Sequence, residues 1–322
     1  GLPVCFLAAL RARRAATYVL ASMGVAIVTA SLVLSRSRAA WLAFAVMFLI
    51  VFFGSLKTWG RFAGVVLFAA AGVGAALLLP NALHWRSNNP YVESVRGVAN
   101  YEEGSGRGRL EQYGRSLVVL AHHPLLGAGP GNWPVEYPRY ARGGDPSVSG
   151  SEPGMTINPW PSSDWVGFLT ERGVVAAVLI ALAFIGIAIT ARDATLLATI
   201  AAAIVAGLFD AVLLLAVPTL IVWTAIGALW SPPSRLRPMR ALVVVAAIVI
   251  SALGAFRSAS QIAAMEIYAS GTALEHASQI DPGNFRIHMR LSRRCEHARA
   301  AHALFPNSEA ARAASRRCGD SR

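Results

Sequence analysis

The segment that decides the fold is 15–34, which reads AATYVLASMGVAIVTASLVL and carries no charged residue. A helix needs about 20 consecutive, mostly apolar residues to cross the hydrocarbon core of a bilayer. The segment has this length, and arginines border it on both sides, at Arg14 and Arg36. The pattern therefore predicts a membrane-spanning helix.

The composition of the whole chain agrees with this prediction. The chain has 322 residues, of which 55% are hydrophobic and only 14% are charged. Soluble domains contain about 25% charged residues, so the balance indicates an integral membrane protein. The net charge of +12 would fit nucleic-acid binding, but the arginines are scattered between apolar segments and form no single basic face. Basic residues at span ends are instead typical of membrane topology signals.

Other apolar segments follow at similar spacing. The predicted spans besides 15–34 are 39–56, 62–79, 165–190, two within 194–230, and 241–256, with the end of another at 1–10. Residues 194–230 are too long for one helix, and we place the division near Val217-Pro218 because proline interrupts helices. The sequence thus predicts an all-α, polytopic transmembrane helix bundle of about seven spans. We expect the chain to be part of a longer membrane protein.

Two polar regions complete the predicted organisation. Residues 81–163 form a long loop between spans, and residues 257–322 form a polar tail. We therefore predict a transmembrane domain over 1–256, which includes the loop 81–163, and a separate tail over 257–322. Short loops rich in arginine and lysine face the cytoplasm. The loops with this character contain Arg11, Arg13, Arg14, Lys57, Arg61, Arg192, Arg235, Arg237 and Arg240. The long loop and the tail are then expected on the opposite, extracytoplasmic side.

The tail has a helical pattern with two breaks. ALEHASQIDPGN and AAHALFPNSEAARAA each read as a helix interrupted near a proline, at Pro282 and Pro306. This resembles a tetratricopeptide-type hairpin, although the two breaks are closer than the repeat of about 34 residues requires. A degenerate repeat and a simple helical cap both remain open. Cys295 and Cys318 can pair if the tail lies in an oxidising compartment.

Several arginines are candidates for binding an anion. Arg36 and Arg38 lie at the outer end of a span, where positive charge is disfavoured, so snorkelling to lipid headgroups competes with a specific role. A diphosphate headgroup would supply that role, because guanidinium groups match phosphate oxygens. Arg107, Arg109 and Arg115 lie on an amphipathic helix predicted to end at His122-His123-Pro124. A solvated face is the preferred interpretation for Arg107 and Arg115.

Neither histidine pairs nor glycine motifs indicate a cofactor. His122 and His123 are adjacent and point to different sides of a helix, and no HxxxH or HExxH spacing occurs. We therefore expect no metal site. GAGPGNW at 127–133 lacks the preceding strand of a nucleotide-binding motif, and it predicts a tight, closely packed turn instead.

Three carboxylates lie at or near span ends, where ionisable groups are costly and tend to be functional or paired. Asp164 and Glu171 are about two helical turns apart and share a face. An N-cap role is the alternative for Asp164 or Ser163. Glu171 has Arg172 beside it, but adjacent residues on a helix are not expected to face each other. Asp210 has no local partner.

Four ordered motifs carry a family resemblance. SRSRAAWLAF, GRLEQY, AHHPLLGAGPGNW and SDWVGFLTERGVVA follow one another over about residues 30–230. Together they resemble the O-antigen ligase and O-antigen polymerase superfamily of bacterial polytopic membrane glycosyltransferases. The resemblance implies an inner-membrane enzyme with a periplasmic loop and periplasmic tail. It implies transfer of a glycan from a polyprenyl-diphosphate carrier to an acceptor sugar hydroxyl, without metal, nucleotide or other cofactor, and it does not separate ligase from polymerase.

The resemblance also implies residue roles. Arg38 matches the arginine of the family's Ser-Arg-small motif, and Arg109 matches the loop arginine before an aromatic residue, here Tyr113. Both would hold the diphosphate. His123 matches the histidine of the HPLLG-type motif, with a structural or a catalytic role.

Glu171 matches the family's glutamate before glycine. Family members often carry a histidine about nine residues before this glutamate as the proposed base, but Ser162 occupies that position here. Asp164, or less readily Glu171, would then activate the acceptor hydroxyl. Asp210 and His123 would shape the cavity.

Two alternative functions fit the same pattern. A transporter or flippase of lipid-linked sugars would use the arginines to bind without reaction. A membrane scaffold would recruit a protein partner through the tail. The expected partners of the transferase are the lipid-linked donor, a sugar or lipid-linked acceptor and membrane lipids, with no nucleic acid.

Overall fold

The computed structural model describes residues 2–55, 58–78, 104–191, 193–230 and 240–319. Within these ranges the chain is all-α, as predicted, and the only β-type pairing is an isolated bridge between Val148 and Thr156. The chain forms two compact units, one of residues 1–130 and 160–231 and the other of residues 131–159 and 232–322. The predicted boundary at residue 256 differs from this grouping and falls inside one continuous helix, Arg240–Ser270.

The first unit contains eight described helices. They are α1 (Leu2–Arg11), α2 (Ala15–Ser35), α3 (Arg38–Gly54), α4 (Trp59–Leu78), α5 (Gly104–His122), α7 (Asp164–Thr190), α8 (Ala194–Phe209) and α9 (Ala216–Leu229). The second unit contains α6 (Trp133–Glu136), a 3₁₀ turn (Tyr137–Arg139), α10 (Arg240–Ser270), α11 (Leu274–Ile280), α12 (Phe285–Arg290), α13 (Cys295–Leu304) and α14 (Glu309–Arg317). The helix predicted to end at His122-His123-Pro124 does end at His122.

Four helices in the described part of the chain are long and apolar enough to cross a membrane. They are Ala15–Ser35, Trp59–Leu78, Asp164–Thr190 and Ala241–Ser270. Four shorter apolar helices accompany them at Leu2–Arg11, Arg38–Gly54, Ala194–Phe209 and Ala216–Leu229. The exact number of spans and the periplasmic position of the loop remain predictions. Residues 79–103 of the predicted span end and loop lie outside the described residues, as do Lys57, Arg192 and the Pro/Arg-rich turn at 231–239.

Contacts within two helix pairs show how these helices run relative to each other. The Tyr18 hydroxyl donates to Arg61 O at 3.3 Å and the Thr29 hydroxyl donates to Ala69 O at 3.2 Å, so α2 and α4 run parallel. α3 and α8 run antiparallel. A Cβ added to Gly54 at the end of α3 would lie 2.6 Å from Ala194 Cβ at the start of α8, and Ala40 near the start of α3 lines the same cavity as Ala206 near the end of α8. The N-terminus of α3 is therefore level with the C-terminus of α8.

The division of 194–230 into two helices is confirmed, but it occurs at 210–215, before the predicted position. Pro218 lies in the first turn of α9, where a missing backbone N–H costs no helical hydrogen bond. α8 ends at Phe209, and its C-cap Asp210 has extended backbone angles. The intervening segment joins α8 to α9, and the Asp164 carboxylate binds its backbone.

α7 is broken at Gly173, and a loop segment fills the break. Gly173 has a φ of 73°, which glycine adopts readily. Val174 N and Val175 N donate to Pro124 O and Leu125 O, at 2.9 and 3.3 Å.

The same segment also supplies donors to the broken helix. Ala128 N and Gly129 N donate to the Thr170 and Glu171 carbonyls, both at 2.9 Å. A Cβ on Gly127 would overlap the Glu171 backbone, and a Cβ on Gly173 would overlap Leu125 O. The tight, closely packed turn predicted for the glycine motif is thus inserted into the hydrogen-bond ladder of α7.

In the second unit, α10 continues without interruption from its apolar first half into the tail. Ala264 on α10, Ala277 on α11 and Ile287 on α12 form a small buried core. A disulfide joins Cys295 on α13 to Cys318 after α14, with a Cα–Cα distance of 5.5 Å. The breaks predicted at Pro282 and Pro306 separate α11 from α12 and α13 from α14. The tetratricopeptide-like character of the tail is not confirmed.

Candidate active site

Polar contacts fasten α5 to the start of α7. Gln112 is buried, and its side-chain oxygen accepts a hydrogen bond from Ser162 N at 2.6 Å. One residue further along α5, the Tyr113 hydroxyl donates to Leu208 O at 3.1 Å, near the end of α8. The α5 helix is therefore attached to both α7 and α8 at the end of the bundle where α7 begins.

The carboxylate of Asp164 organises the segment between α8 and α9. Asp164 is 2% exposed. Its Oδ2 accepts from Val212 N at 2.9 Å and Leu213 N at 2.7 Å, and its Oδ1 accepts from Leu214 N at 2.9 Å. Three backbone donors occupy most of the acceptor sites of this carboxylate. This geometry is that of a residue holding a loop in place.

Ser163 performs the capping role that was considered for Asp164 or Ser163. The Ser163 hydroxyl accepts from Val166 N at 3.4 Å and donates to Gly207 O at 2.9 Å. A Cβ on Gly207 would lie 2.8 Å from Asp164 Oδ2, so the glycine leaves the space in which this carboxylate sits. The start of α7 and the end of α8 are therefore joined by both residues of the Ser163-Asp164 pair.

Glu171 and Arg172 do face each other, contrary to the sequence-based expectation. Arg172 Nη1 lies 3.6 Å from Glu171 Oε2, and Glu171 is buried while the arginine side chain is 38% exposed. Residues 171 and 172 keep helical backbone angles, and only Gly173 departs from them. The contact therefore depends on the length of the glutamate and arginine side chains. Arg172 also lies over the Phe168 ring, 5.2 Å from its centroid.

Arg36 and Arg38 lie at the same end of the bundle as Asp164 and Asp210. Arg38 begins α3, and Asp210 follows the last residue of the antiparallel helix α8. Because the two helices have nearly equal lengths of 17 and 16 residues, these termini are level. Asp164 binds the segment that begins two residues after Asp210. The structure thus gathers four predicted site residues at one end of the first unit.

The link between α2 and α3 is a tight turn with defined geometry. Arg36 adopts a left-handed conformation with φ of 51°, and its N–H donates to Val33 O at 3.1 Å. Ser37 caps α3 by accepting from Ala40 N at 3.2 Å. The Trp41 indole donates to Leu32 O at 2.9 Å, which fastens the start of α3 to the last turns of α2. Both arginine side chains are half-buried.

The remaining predicted residues lie on or after α5. Arg109 precedes Tyr113 by one helical turn and is half-buried, so both lie on one face of α5. His123 is exposed, and its backbone carbonyl accepts from Gly127 N at 3.0 Å. Asp210 is exposed, and its Oδ1 accepts from Ala211 N at 3.0 Å. Of these residues, Tyr113 is tied directly to the end of α8 described above.

Two apolar cavities lie beside α3. One has a volume of about 340 Å³ and reaches from Ala40 on α3 to Val212, the residue held by Asp164. The second has a volume of about 280 Å³ and lies between α2, α3 and α4. Leu32 and Phe44 line both. The bundle end that carries Arg38 therefore adjoins space lined almost entirely by apolar side chains.

The opposite end of the first unit carries residues of the predicted cytoplasmic set. Arg11 forms a 2.8 Å ion pair with Asp193. Arg61 Nη1 donates to Leu10 O at 3.2 Å and Ala12 O at 3.1 Å. These contacts confirm that Arg11 and Arg61 share one end of the bundle.

A comparison with family models now adds to this geometry. The model of the O-antigen ligase family matches residues 23–181. Residues 23–181 form an O-antigen ligase domain. The matched region runs from within α2 to within α7 and contains all the predicted site residues except Asp210. No curated protein and no solved structure shows a significant match to the chain.

The O-antigen ligase domain indicates a role in glycan assembly and glycosyltransferase-type activity at a membrane. Four residues of the candidate site were not predicted from the sequence. Gln112 lies within the quoted GRLEQY motif, but no pattern indicated that it binds the Ser162 backbone. The N–H groups of Val212, Leu213 and Leu214 carry no side-chain signature at all. In the described part of the chain, the one group of three potential metal ligands is formed by tail residues, Glu275, Glu296 and His297.

Proposed function

We propose that this protein, with its O-antigen ligase domain, transfers a glycan from a polyprenyl-diphosphate carrier to the hydroxyl of an acceptor sugar. The observation that carries the proposal is the level arrangement of Arg38 at the start of α3 with Asp210 at the end of α8. In the reaction, the bond between the donor's anomeric carbon and the diphosphate oxygen breaks. A bond from that carbon to the acceptor oxygen forms, the hydroxyl proton passes to a carboxylate, and polyprenyl diphosphate leaves.

The arginines supply the charge that this leaving group requires. Arg36 and Arg38 lie at a helix terminus beside apolar cavities. A lipid diphosphate would suit this place, because guanidinium groups match phosphate oxygens and the carrier's hydrocarbon chain matches the apolar lining. Arg109, one turn from Tyr113 on α5, would add a third guanidinium at the same end. Donors fixed before the reaction stabilise charge that develops on the diphosphate, and each contributes about 10²- to 10³-fold to turnover.

The apolar cavities support an isoprenoid carrier. A carrier with its diphosphate at Arg38 would direct its hydrocarbon chain towards Ala40, Ala43 and Phe44, which line the larger cavity. That cavity has about 340 Å³ and an almost wholly apolar lining, in which Thr199 is the one polar side chain, so it suits a hydrocarbon chain better than a sugar. Burial of hydrocarbon there would stabilise the complex by about 25 cal/mol per Å² of apolar surface removed from water.

The carboxylates divide into positioning and proton-accepting roles. Asp164 is occupied by three backbone N–H groups, so we assign it to positioning the segment 212–214. Asp210 is exposed at the same end, and one backbone N–H occupies one of its oxygens. It is the carboxylate best suited to accept the acceptor's proton, a role that Ser162 cannot take. Glu171 is paired with Arg172, and we assign it to the support of the broken helix.

The disulfide supports an extracytoplasmic tail. Disulfides persist in oxidising compartments and are rare in the cytoplasm. The tail that contains Cys295 and Cys318 follows α10, whose apolar first half is a candidate span. A periplasmic tail agrees with the arginine distribution, which assigns the end with Arg11 and Arg61 to the cytoplasm of a bacterial inner membrane. The site with Arg38 would then face the periplasm.

The direct test uses purified protein in vesicles with a polyprenyl-diphosphate glycan and a soluble acceptor. Transfer predicts equal amounts of elongated acceptor and free polyprenyl diphosphate. Arg38→Ala should lower the rate of formation of both products by about 10²- to 10³-fold, whereas Arg13→Ala, at the opposite end of the bundle, should form them at the normal rate. Movement of the glycan lipid across the bilayer without release of diphosphate would overturn the transferase proposal and favour a flippase.

A further inference from the structure

The tail contains a buried chain of polar contacts that is separate from the candidate active site. His288 on α12 and His297 on α13 are both 6% exposed, and their Nδ1 atoms lie 2.9 Å apart. His288 Nε2 lies 2.9 Å from Pro282 O, and His297 Nε2 lies 2.9 Å from Glu275 Oε2 on α11. This series of contacts therefore connects three tail helices, α11, α12 and α13, through four polar groups.

The hydrogen-bond donors and acceptors in this series of contacts determine which ring nitrogens must carry a proton. Pro282 O only accepts, so His288 Nε2 must carry a proton. Of the two facing Nδ1 atoms, one must donate and the other accept. When both rings are neutral, His288 accepts and His297 donates, which leaves the His297 Nε2 lone pair directed at the carboxylate of Glu275. Two electron-rich atoms at 2.9 Å require a cation between or beside them.

A second carboxylate converges on the same nitrogen. Glu296 Oε1 lies 3.6 Å from His297 Nε2, beyond hydrogen-bond range for a shared proton. The ligand atoms of Glu275, Glu296 and His297 all lie within 4.8 Å of one another. A proton on His297 would satisfy Glu275 alone, whereas a metal ion would satisfy both carboxylates. We propose that Glu275, Glu296 and His297 form a binding site for a divalent metal ion such as Zn²⁺.

The distances suit such an ion. Zn²⁺ binds nitrogen and oxygen at about 2.0–2.2 Å, so neighbouring ligands of a tetrahedral site lie ~3.4 Å apart. The two distances from His297 Nε2, 2.9 and 3.6 Å, bracket this value. Water would complete the coordination.

The surroundings provide the outer contacts that metal ligands need. The other ring nitrogen of His297 is held by His288, which is held in turn by Pro282 O, and this fixes the tautomer that ligation requires. Arg294 Nη1 pairs with Glu275 Oε1 and leaves Oε2 directed at the histidine. The bound ion would join α11 to α13 and stabilise the tail.

The test measures Zn²⁺ binding to the full chain in detergent, under non-reducing conditions so that the cysteines of the disulfide do not bind metal. Stoichiometric binding by calorimetry, proton release on binding, and a higher unfolding temperature with Zn²⁺ are expected, because ligands that bind only the native state stabilise it. Glu296→Gln removes one ligand at a side chain that is 72% exposed. Its Zn²⁺ affinity should fall by at least about tenfold.

Glu266→Gln is the matched control, because Glu266 is an exposed glutamate on α10 outside this cluster. Its Zn²⁺ affinity should equal that of the unchanged protein. Equal affinities for Glu296→Gln and Glu266→Gln would overturn the proposal. So would a tail whose stability responds to pH but not to Zn²⁺, since a proton on the histidine pair would then supply the required cation. Neither measurement depends on glycan transfer.

Discussion

Asp164 Oδ2 lies 2.7 Å from Leu213 N, and this contact ties the start of α7 to the segment between α8 and α9. The same carboxylate binds two further backbone donors, so it acts as the anchor of that segment. Asp164→Asn replaces one acceptor oxygen with an NH₂ group that opposes a backbone N–H. We expect the substitution to lower the free energy of unfolding by about 2 kcal/mol or more, measured by thermal unfolding in detergent.

Asp210→Asn is the informative comparison for this prediction. Asp210 is exposed and binds only its neighbour Ala211 N among the hydrogen bonds of the described residues. Its substitution should change stability by less than about 0.5 kcal/mol. Under the proposed assignment it should reduce glycan transfer by about 10²- to 10⁴-fold, as expected for loss of a general base. Normal transfer by a stable Asp210→Asn protein would remove this residue from the proton-accepting role.

Substitution of Gly173 tests whether the break in α7, which the segment 124–129 fills, requires glycine. Gly173→Ala places a methyl group against Leu125 O and puts alanine at a φ of 73°. We expect a loss of at least about 2 kcal/mol of stability, because both the left-handed backbone and the close contact oppose alanine. Gly186→Ala on the same helix is the control, since a Cβ there meets nothing within 4 Å. If the two variants unfold at the same temperature, the break in α7 does not depend on glycine.

Arg38 tests the diphosphate assignment through the chemistry of its side chain. Arg38→Lys keeps the positive charge but loses the planar fork that binds two phosphate oxygens. We expect Arg38→Ala to lower kcat/KM by about 10²- to 10³-fold and Arg38→Lys to be intermediate. Steady-state kinetics with varied donor concentration would measure both. Equal rates for lysine and arginine would show that charge alone is sufficient.

The disulfide predicts local stability in the tail. Cys295 and Cys318 are 23 residues apart, and closing a loop of this length stabilises a fold by roughly 3 kcal/mol in the chain-entropy model. Reduction should therefore accelerate hydrogen exchange in α13 and α14. A Cys295→Ser/Cys318→Ser protein should exchange equally fast with and without reductant, which separates the disulfide from Cys5. Unchanged exchange on reduction would contradict the prediction.

The contacts of Asp193, at the end of the bundle opposite Arg38, predict that the stability of the protein falls at acidic pH. Burial raises the pKa of this carboxyl, but hydrogen bonds from Thr195 and the ion pair with Arg11 outweigh burial and hold the pKa below its ordinary value. A lowered folded-state pKa stabilises the protein above the unfolded-state value of about 3.9, and this stability is lost as the pH falls through the folded pKa. Asp193→Asn should therefore flatten the dependence of stability on pH below about 4.

Asp193→Ala separates the two contacts of this residue. Asparagine can still cap α8 by accepting from Thr195 N, whereas alanine cannot, so the alanine variant should lose about 1 kcal/mol more. Thermal unfolding at neutral and acidic pH would measure both. A steep pH dependence that persists in Asp193→Asn would assign it to another carboxyl group.

Local patterns predicted much of this fold. Uncharged apolar runs such as 15–34 indicated helices because a bilayer leaves few alternatives for the backbone. Pro124 predicted the end of α5 because proline cannot continue a helix. The break between α8 and α9 was predicted too far towards the C-terminus. Proline at 218 is tolerated in the first turn of a helix, and the observed break at 210–215 depends on contacts with Asp164, which is distant in sequence.

The site was harder to predict for a physical reason. Arg36 and Arg38 could be recognised from the sequence, because positive charge is disfavoured at the outer end of a membrane span. The partners of Asp164 are backbone N–H groups, which every residue except proline carries, so no sequence pattern marks them. The break of α7 at Gly173 is completed by the carbonyls of Pro124 and Leu125, which are distant in sequence. Interactions between segments about fifty residues apart leave little trace in local spacing.

The inserted segment 124–129 also constrains how this protein can change. Its two ends bind α7 on either side of Gly173, so its length must match the gap that the helix leaves. A residue added to or removed from this segment would shift every donor and acceptor out of register, although the segment itself is largely exposed. Surface loops ordinarily tolerate changes of length. Here we expect related chains to vary the residue types at 125–126 freely while keeping the number of residues in the segment.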